Sequence, residues 1–346
     1  MRSFVFVSAL TLLLGVSGWA QEEQPPLANP TGYLTIQGKR LAVEILGGNQ
    51  KGLRFQLFES LNDNGPRNAA FTTIEEAEFY LPPEFRRAEV LWHRKQFKRS
   101  ASLFRKVSEE HKVIKSLPGN YASLAEIYVL DYLLAQALEN DQRFRVFVQA
   151  GKNLDEKGLT GSLKAFPAIC SLWAKIEDSR INQEGWPEIF DGAVALEKSA
   201  SLTAPLLAQL GLIKGEAKEG MMNVVENLLA EPGTSAEDEG RAALVRKRER
   251  LRSEALTGYH QAFTFAGNRI PWLSKSGMEA SMELYIKDPL ILSALETLQA
   301  GEDLEAGSVV ARRLKEARAV GELYQVTGLE QGEFPAGFEA VMQASL

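Results

Sequence analysis

The chain has 346 residues, a formal net charge of −6 and a single cysteine. A mildly acidic surface repels nucleic acid and anionic membranes, so the charge argues against a general binder of either. The length suggests about two domains on the usual scale of roughly 100–200 residues each. A chain with one thiol cannot form an internal disulfide, and we therefore expect core packing to stabilise the fold.

The N-terminus has the pattern of a cleavable signal peptide over residues 1–20. Arg2 supplies a positive head, residues 4–16 form an apolar run, and the small residues Gly18 and Ala20 end the segment. A retained anchor is the alternative, but about 20 apolar residues are needed to span a bilayer. No cysteine directly follows the run. We therefore expect cleavage near Ala20 and export, without a lipid or transmembrane anchor, to the periplasm or the cell exterior.

The next two segments predict a linker and a small β unit. Residues 21–31 are rich in proline and predict an extended linker. Residues 32–80 contain two apolar runs around a turn at Gly38, and residues 53–58 alternate apolar with polar side chains, as half-buried strands do. We expect about three to five antiparallel strands, which is too few for easy stability alone. The unit should pack on the segments that follow.

From Pro82 onward the pattern predicts helices. Residues 81–230 predict a helical repeat region, residues 231–240 an acidic loop, and residues 241–346 a second helical region. Short connections rich in Gly, Pro, Asp or Asn favour antiparallel neighbouring helices. After a first helix that begins at the Pro82-Pro83 pair, the predicted helices cover 97–107, 121–138, 161–178, 187–199, 203–214, 217–230, 237–266, 272–285, 288–299 and 304–325.

Two segments share one internal spacing. Offsets of 0, 3, 7 and 10 relate Phe97, Ser100, Phe104 and Val107, and the same offsets relate Leu304, Gly307, Ala311 and Leu314. Here the sequence resembles the tetratricopeptide repeat family, in which small residues let paired helices approach and aromatic residues fill the groove to the next pair. The resemblance implies a mostly α fold, an antiparallel helix-pair α-solenoid whose concave face binds peptides or proteins. An irregular helical bundle is the alternative, since any amphipathic helix can show these offsets.

The sequence contains no pattern that predicts a metal or cofactor site. His93, His111 and His260 lack the spacing of metal ligands. We expect His93 and His111 to be solvated and His260 to be partly buried and hydrogen-bonded. Cys170 lies in an apolar helical stretch, which favours a buried small side chain over a nucleophile. The chain also lacks a nucleophile elbow and a phosphate-binding loop.

A pair of catalytic carboxylates stays open, because the fold decides which acids come together. The nearest candidate in the sequence is 184–191, where Glu184 and Glu188 flank Trp186, a side chain that would be exposed in such a site. The alternative, which we favour, is a turn followed by a helix start. In that case Trp186 packs as a hydrophobic staple and Glu188 stabilises the helix N-terminus.

The most basic segment lies just after the acidic loop. Arg246, Lys247 and Arg250 form a candidate docking face for an acidic partner. The alternative is a solvated helix face whose charges pair with nearby acids.

These observations predict a non-catalytic exported scaffold or adaptor that binds a protein or peptide partner through stacked helix pairs. The low cysteine content favours a bacterial periplasm or envelope, since eukaryotic secreted proteins more often use disulfides. Two other functions stay open. One is a carboxylate-dependent hydrolase of cell-wall sugar, and the other is a structural component of envelope assembly.

Overall fold

The structure is a computed structural model, and it describes residues 27–58, 65–140, 143–199, 201–230, 239–327 and 333–344. The predicted signal peptide, most of the predicted linker and positions 231–238 of the acidic loop lie outside these residues. A small antiparallel sheet forms the N-terminal part of the described chain, and helices form the rest. The prediction of a mostly helical protein with a small β unit is confirmed.

The sheet is antiparallel throughout, with the strand order β4-β3-β2-β1-β5. Alternate residues of the three central strands face the core and are buried: Leu34, Val43, Ile45, Leu53 and Phe55. This period of two is the reason that the segment folds as a half-buried sheet. The strands are β1 Thr31–Ile36, β2 Lys39–Asn49, β3 Gly52–Leu57, β4 Arg67–Ala70 and β5 Ile74–Phe79.

The sheet shares one apolar core with the helices. At its edge, the Phe79 ring packs edge-on against Tyr121, with ring centroids 6.3 Å apart. Residues 27–30, which the sequence predicts as the end of a tether, are also fixed to the fold. The Leu27 N–H donates to a Glu110 carboxylate oxygen at 2.6 Å, and the Pro30 carbonyl accepts from the Ile45 N–H at 2.8 Å. The linker prediction is therefore wrong for these residues, because their backbone groups find partners on β2 and the first helices.

The helices begin where the sequence supplies starting signals. Proline occupies the first turn of several, and side chains of Asn120, Asp288 and Ser308 accept hydrogen bonds from the first backbone N–H groups of others. The helices are α1 Pro83–His93, α2 Phe97–Glu110, α3 Tyr121–Glu139, α4 Phe144–Lys152, α5 Phe166–Asn182, α6 Trp186–Ser199, α7 Ala204–Ala230, α8 Glu239–Ala266, α9 Pro271–Ile286, α10 Pro289–Gln299, α11 Val309–Val326 and α12 Phe338–Gln343.

Helix α7 is continuous, although the sequence predicts two helices separated at a glycine. Gly211 and Gly215 instead lie where α7 touches α8. A Cβ added at Gly211 would be 2.6 Å from the Ala262 nitrogen, and one added at Gly258 would be 2.5 Å from the Gly215 nitrogen. The glycines therefore allow two helix backbones to meet, and this contact more than offsets their low helix propensity.

Other boundaries also differ from the predicted ones. Helices α4 and α12 lie in segments with no predicted helix, and α8 includes Glu239 and Gly240 from the predicted acidic loop. Helix α11 begins at Val309 because the Ser308 hydroxyl caps it and Gly307 adopts a left-handed conformation with φ of 81°. Leu304 and Gly307 therefore precede the helix, and the second set of repeat offsets does not lie on one helix. Ala311 and Leu314 are buried on α11.

The first set of repeat residues lies on α2 and faces its neighbours. The Ser100 hydroxyl donates to the Ala88 carbonyl of α1 at 2.7 Å, and the Phe104 ring stacks on Tyr128 of α3 at 4.3 Å. Val107 is fully buried. Each helix from α1 to α9 packs on the next one along the chain.

One contact joins helices that are far apart in sequence. The Trp272 ring of α9 lies 5.5 Å from Trp92 of α1 and 4.9 Å from Phe97 of α2, each measured between ring centroids. Helix α9 thus packs on the first two helices as well as on its neighbours in the chain. Within the described residues, no helix is both long and apolar enough to cross a membrane.

The hairpin of α7 and α8 extends beyond the core at its connecting end. Within the described part of residues 226–250, no residue is buried. Leu229 and Leu244 are partly buried there. We call this part of the hairpin, residues 226–250, the arm.

Candidate binding cleft

A cleft of about 350 Å³ opens among the seven helices α3 to α9, each of which contributes at least one lining residue. Its charged lining residues are Glu216 and Glu219 from α7, Glu279 and Glu283 from α9, and Arg180 from α5. Four carboxylates and one guanidinium give the lining a net charge of −3 when all are ionised. We call this feature the acidic cleft.

Helical spacing explains why these acids meet. Helix α7 presents Glu216, Glu219, Gly220 and Asn223 to the cleft, and α9 presents Ser276, Glu279, Ala280 and Glu283. Both sets have the spacing i, i+3, i+4, i+7, which places their members along one face of a helix. The two faces confront each other across α8, whose Tyr259 also lines the cleft.

Arg180 balances only one of the four acids. Its guanidinium Nη2 lies 2.9 Å from a Glu216 carboxylate oxygen, and its Cζ lies 5.7 Å from the centroid of the Phe144 ring. Both partners also line the cleft. In this wall of the cleft, the positive charge of Arg180 is already paired with Glu216. The other three carboxylates therefore dominate the electrostatic potential inside the cleft.

Glu219 is the most deeply placed of these three. Burial raises the pKa of its carboxyl, and a hydrogen bond from the Tyr259 hydroxyl at 2.5 Å partly opposes that rise. Burial also holds the pKa of Tyr259 well above its ordinary value, so Tyr259 stays a donor. A cation in the cleft would favour the ionised form of Glu219, because opposite charges nearby stabilise a carboxylate.

The acids of α9 lie nearer the opening. Glu279 accepts a hydrogen bond from the Tyr324 hydroxyl at 2.8 Å, and its carboxylate lies 3.8 Å from the Lys275 ammonium. Glu283 is exposed. Of the three carboxyls that Arg180 does not pair, Glu219 is therefore the least accessible, and solvent reaches the other two more easily.

Trp186 forms a buried wall of the cleft and is only 4% exposed. Its indole lies against Gly220, where an added Cβ would overlap ring atoms Cδ2 and Cε2. The indole N–H has no hydrogen-bond partner among the described residues. The favoured interpretation, a turn followed by a helix start with a packed Trp186, agrees with the structure: α6 begins at Trp186, Glu188 lies in its first turn, and α7 supplies a glycine on which the ring packs.

The carboxylates next to Trp186 in sequence are not the ones that the fold assembles. Glu184 and Glu188 are exposed and do not line the cleft. The acids that meet come from helices some 60 residues apart along the chain, Glu216 and Glu219 on α7 and Glu279 and Glu283 on α9. The repeated spacing of acids on both helices is the signal that could have found them.

The predicted docking face lies on the arm. Arg246, Lys247 and Arg250 are exposed on the outer part of α8, and Arg250 makes a distant contact of 3.7 Å with Glu254. None of the three lines the acidic cleft. The structure therefore leaves these side chains at the surface without joining them to the cleft.

The histidines differ in their burial. His111 is buried and not solvated as expected, because the Tyr121 hydroxyl donates to its Nδ1 at 2.7 Å and its Nε2–H donates to the Ala28 carbonyl at 2.9 Å. Burial lowers its pKa. His93 is exposed, and His260 is partly buried with Nε2 at 3.4 Å from the Tyr285 hydroxyl.

A buried polar group that the sequence analysis did not identify lies between α3 and α7. The Gln209 amide N–H donates to an Asp131 carboxyl oxygen at 3.0 Å, while the amide oxygen of Gln209 is buried without a partner. Burial raises the pKa of Asp131 to about 7. Cys170 is a buried free thiol. Burial, together with the nearby Asp131 charge, raises its pKa to about 12.

The described residues contain no group of three or more His, Cys, Asp or Glu side chains suited to hold a metal ion. No protein-family model, curated protein or solved structure matches this chain.

Proposed function

We propose that this chain is a non-catalytic adaptor of the bacterial envelope that binds a protein or peptide partner on its helical region. The acidic cleft is the observation that carries the proposal. It is lined by residues of seven helices, its walls include aromatic side chains, and three of its carboxylates are not balanced by Arg180. A concave site in which charged and polar side chains converge beside aromatic ones is a candidate binding site.

The proposal includes export with signal cleavage near Ala20, as the N-terminal sequence predicts. It also includes a stack of helix pairs similar to tetratricopeptide repeats. The sequential packing from α1 to α9 and the contact of Ser100 with α1 support such a stack. The exposed cations of the arm, Arg246, Lys247 and Arg250, offer a second surface to an acidic part of the partner.

A capture experiment tests the binding function. The exported form, immobilised and exposed to an envelope extract of the source organism, should retain one partner. The purified pair should then form a complex of fixed stoichiometry in size-exclusion chromatography. If no protein is retained in stoichiometric amount, or if the purified pair does not associate, the adaptor proposal is wrong.

The raised pKa of Glu219 favours a second candidate function, a carboxylate-dependent hydrolase. A carboxyl with a raised pKa that shares a cleft with further acidic side chains, here Glu279 and Glu283, is the arrangement that acid–base hydrolysis of a glycosidic bond requires. Turnover of cell-wall glycan by the wild type, abolished in Glu219→Gln and kept in Glu188→Gln, would replace the adaptor proposal. Glu188 is a matched control because it is an exposed acid outside the cleft.

A further inference from the structure

We infer that the free edge of β5 binds an extended segment of another protein as an added strand, with lysine or arginine side chains on one face of that segment and apolar side chains on the other. Strand β5 ends the strand order of the sheet, so β1 is its only neighbour in the sheet. This edge is separate from the acidic cleft, and its use does not depend on the adaptor proposal.

The backbone of β5 offers hydrogen-bonding groups along its outer side. The Tyr80 N–H donates to the Thr31 carbonyl at the start of β1, at 2.9 Å. Residues of an antiparallel strand alternate between facing the neighbouring strand and facing away from it. The N–H and C=O groups of Ala77 and Phe79 therefore point away from β1. Among the described residues, none forms a hydrogen bond with these four groups.

The face of β5 that packs on the helices is apolar. Ala77 pairs with the buried Leu34 of β1, so its side chain lies on this face of the sheet. A groove of about 300 Å³ follows the edge, and Ile74, Ala77 and Pro118 are among its lining residues. Alternate side chains of an added strand would therefore meet apolar surface, which is how strand addition obtains specificity.

The same groove is acidic. Its charged lining residues are Arg40, Glu75, Glu76 and Glu78, which give a net charge of −2 when all are ionised. Glu78 pairs with Arg40, but both side chains are mostly exposed, so this pair contributes little and can exchange. Glu75 accepts a hydrogen bond from the Gly38 N–H. No described residue pairs with the Glu76 carboxylate, so a cation opposite Glu76 would gain an ion pair without breaking an existing one.

A second copy of the chain is a poorer occupant of this edge. Two β5 strands paired edge to edge would place the glutamates of one strand opposite those of the other, and like charges in that position destabilise a sheet. Charged side chains on an edge strand protect a protein against such self-pairing. A strand with cations at the matching positions meets no such barrier.

Calorimetric titration of the exported form with a designed hexapeptide tests the inference. In acetyl-Thr-Val-Lys-Val-Lys-Thr-amide, added antiparallel to β5, the lysines lie opposite Glu78 and Glu76 and the valines opposite Phe79 and Ala77. This peptide should bind, and the peptide with both lysines replaced by glutamate should bind at least about tenfold more weakly, because attraction becomes repulsion. Glu76→Gln should weaken the lysine peptide several-fold, whereas Glu188→Gln, the same change at an exposed site on α6, should not.

Methylated peptides separate strand addition from simple attraction of charges. In the added strand, the N–H of the second valine donates to the Ala77 carbonyl, whereas the N–H of the first lysine points away from β5. N-methylation of that valine should weaken binding about tenfold, and N-methylation of that lysine should change it by less than about twofold. Ala77→Pro removes an outward N–H without removing a bond to β1, and it should weaken the unmethylated peptide about tenfold. Circular dichroism checks that this variant is folded.

Four results would overturn the inference. They are no binding of the lysine peptide, equal affinity for the lysine and glutamate peptides, equal losses on methylation of the valine and of the lysine, and self-association of the chain that Ala77→Pro abolishes. The last result would assign the edge to a second copy. The adaptor proposal is decided separately, because a partner held in the acidic cleft would still be captured by the Ala77→Pro protein.

Discussion

Replacement of Asp131 by asparagine should stabilise the protein, and only above acidic pH. The pKa of Asp131 is raised by burial to about 7, from an ordinary value of 3.8. The native state therefore keeps this carboxyl protonated over a range in which the unfolded chain loses the proton. The free energy of unfolding falls by about 1.4 kcal/mol per pH unit between the two values. The destabilisation by Asp131 is absent below about pH 4 and reaches its full size above about pH 7.

The full size of this destabilisation follows from the shift in the pKa of Asp131. A difference of about three units at 1.36 kcal/mol each gives about 4 kcal/mol. Asp131 keeps partial solvent exposure, so we regard this figure as an upper bound and expect about 2 kcal/mol. Asparagine is neutral at every pH. Its amide can accept from the Gln209 N–H and can also donate to the Gln209 oxygen that has no partner.

Urea unfolding followed by circular dichroism measures the effect. Asp131→Asn should exceed the wild type by about 2 kcal/mol at pH 8 and match it at pH 4. Asp178→Asn is the control, because Asp178 is an exposed acid on α5. If Asp131→Asn is less stable than the wild type at pH 8, or if its advantage is the same at both pH values, the reasoning is wrong.

Three further perturbations have definite expected results. Gly258→Ala should lower the free energy of unfolding, measured by urea unfolding, by about 1–3 kcal/mol, because the added Cβ would collide with the backbone of α7. Alanine ordinarily stabilises a helix relative to glycine, so a gain in stability would contradict the close contact. The His111 contribution to the free energy of unfolding should fall as pH drops below 6.5, opposite in sign to that of Asp131, because the unfolded chain protonates His111 before the native state does; His111→Gln should therefore gain stability relative to the wild type as pH falls below 6.5. Native Cys170 should not react with Ellman's reagent at pH 8 until urea unfolds the chain, and rapid native labelling would refute its burial.

Local patterns in the sequence predict most of the secondary structure. Alternating side chains predict the sheet, and the apolar periodicity with its prolines and caps predicts most helices within a few residues. Gly215 shows where this reasoning fails. A glycine inside a helical pattern indicates either a break or a close approach of another backbone, and only the position of α8 decides between them.

Side-chain environments were harder to predict because they depend on segments distant in sequence. His111 follows two glutamates, which favours a solvated side chain. In the fold, Tyr121 and the Ala28 carbonyl occupy both of its ring nitrogens. The acidic cleft could not be predicted for the same reason. The sequence shows the spacing of acids on α7 and on α9 separately, but it does not show that these two faces meet.

The contact of Trp272 with α1 and α2 determines how the protein tolerates shortening. In a stack held only by neighbouring pairs, removal of a terminal pair costs one interface and leaves the other pairs intact. Here a chain that ends before α9 would expose Trp92 and Phe97, some 180 residues earlier in sequence. Contacts of such separation also slow folding, because a long loop must close before they form. The helices from α1 to α9 should consequently fold and unfold as one cooperative unit, because α9 completes the packing of α1 and α2.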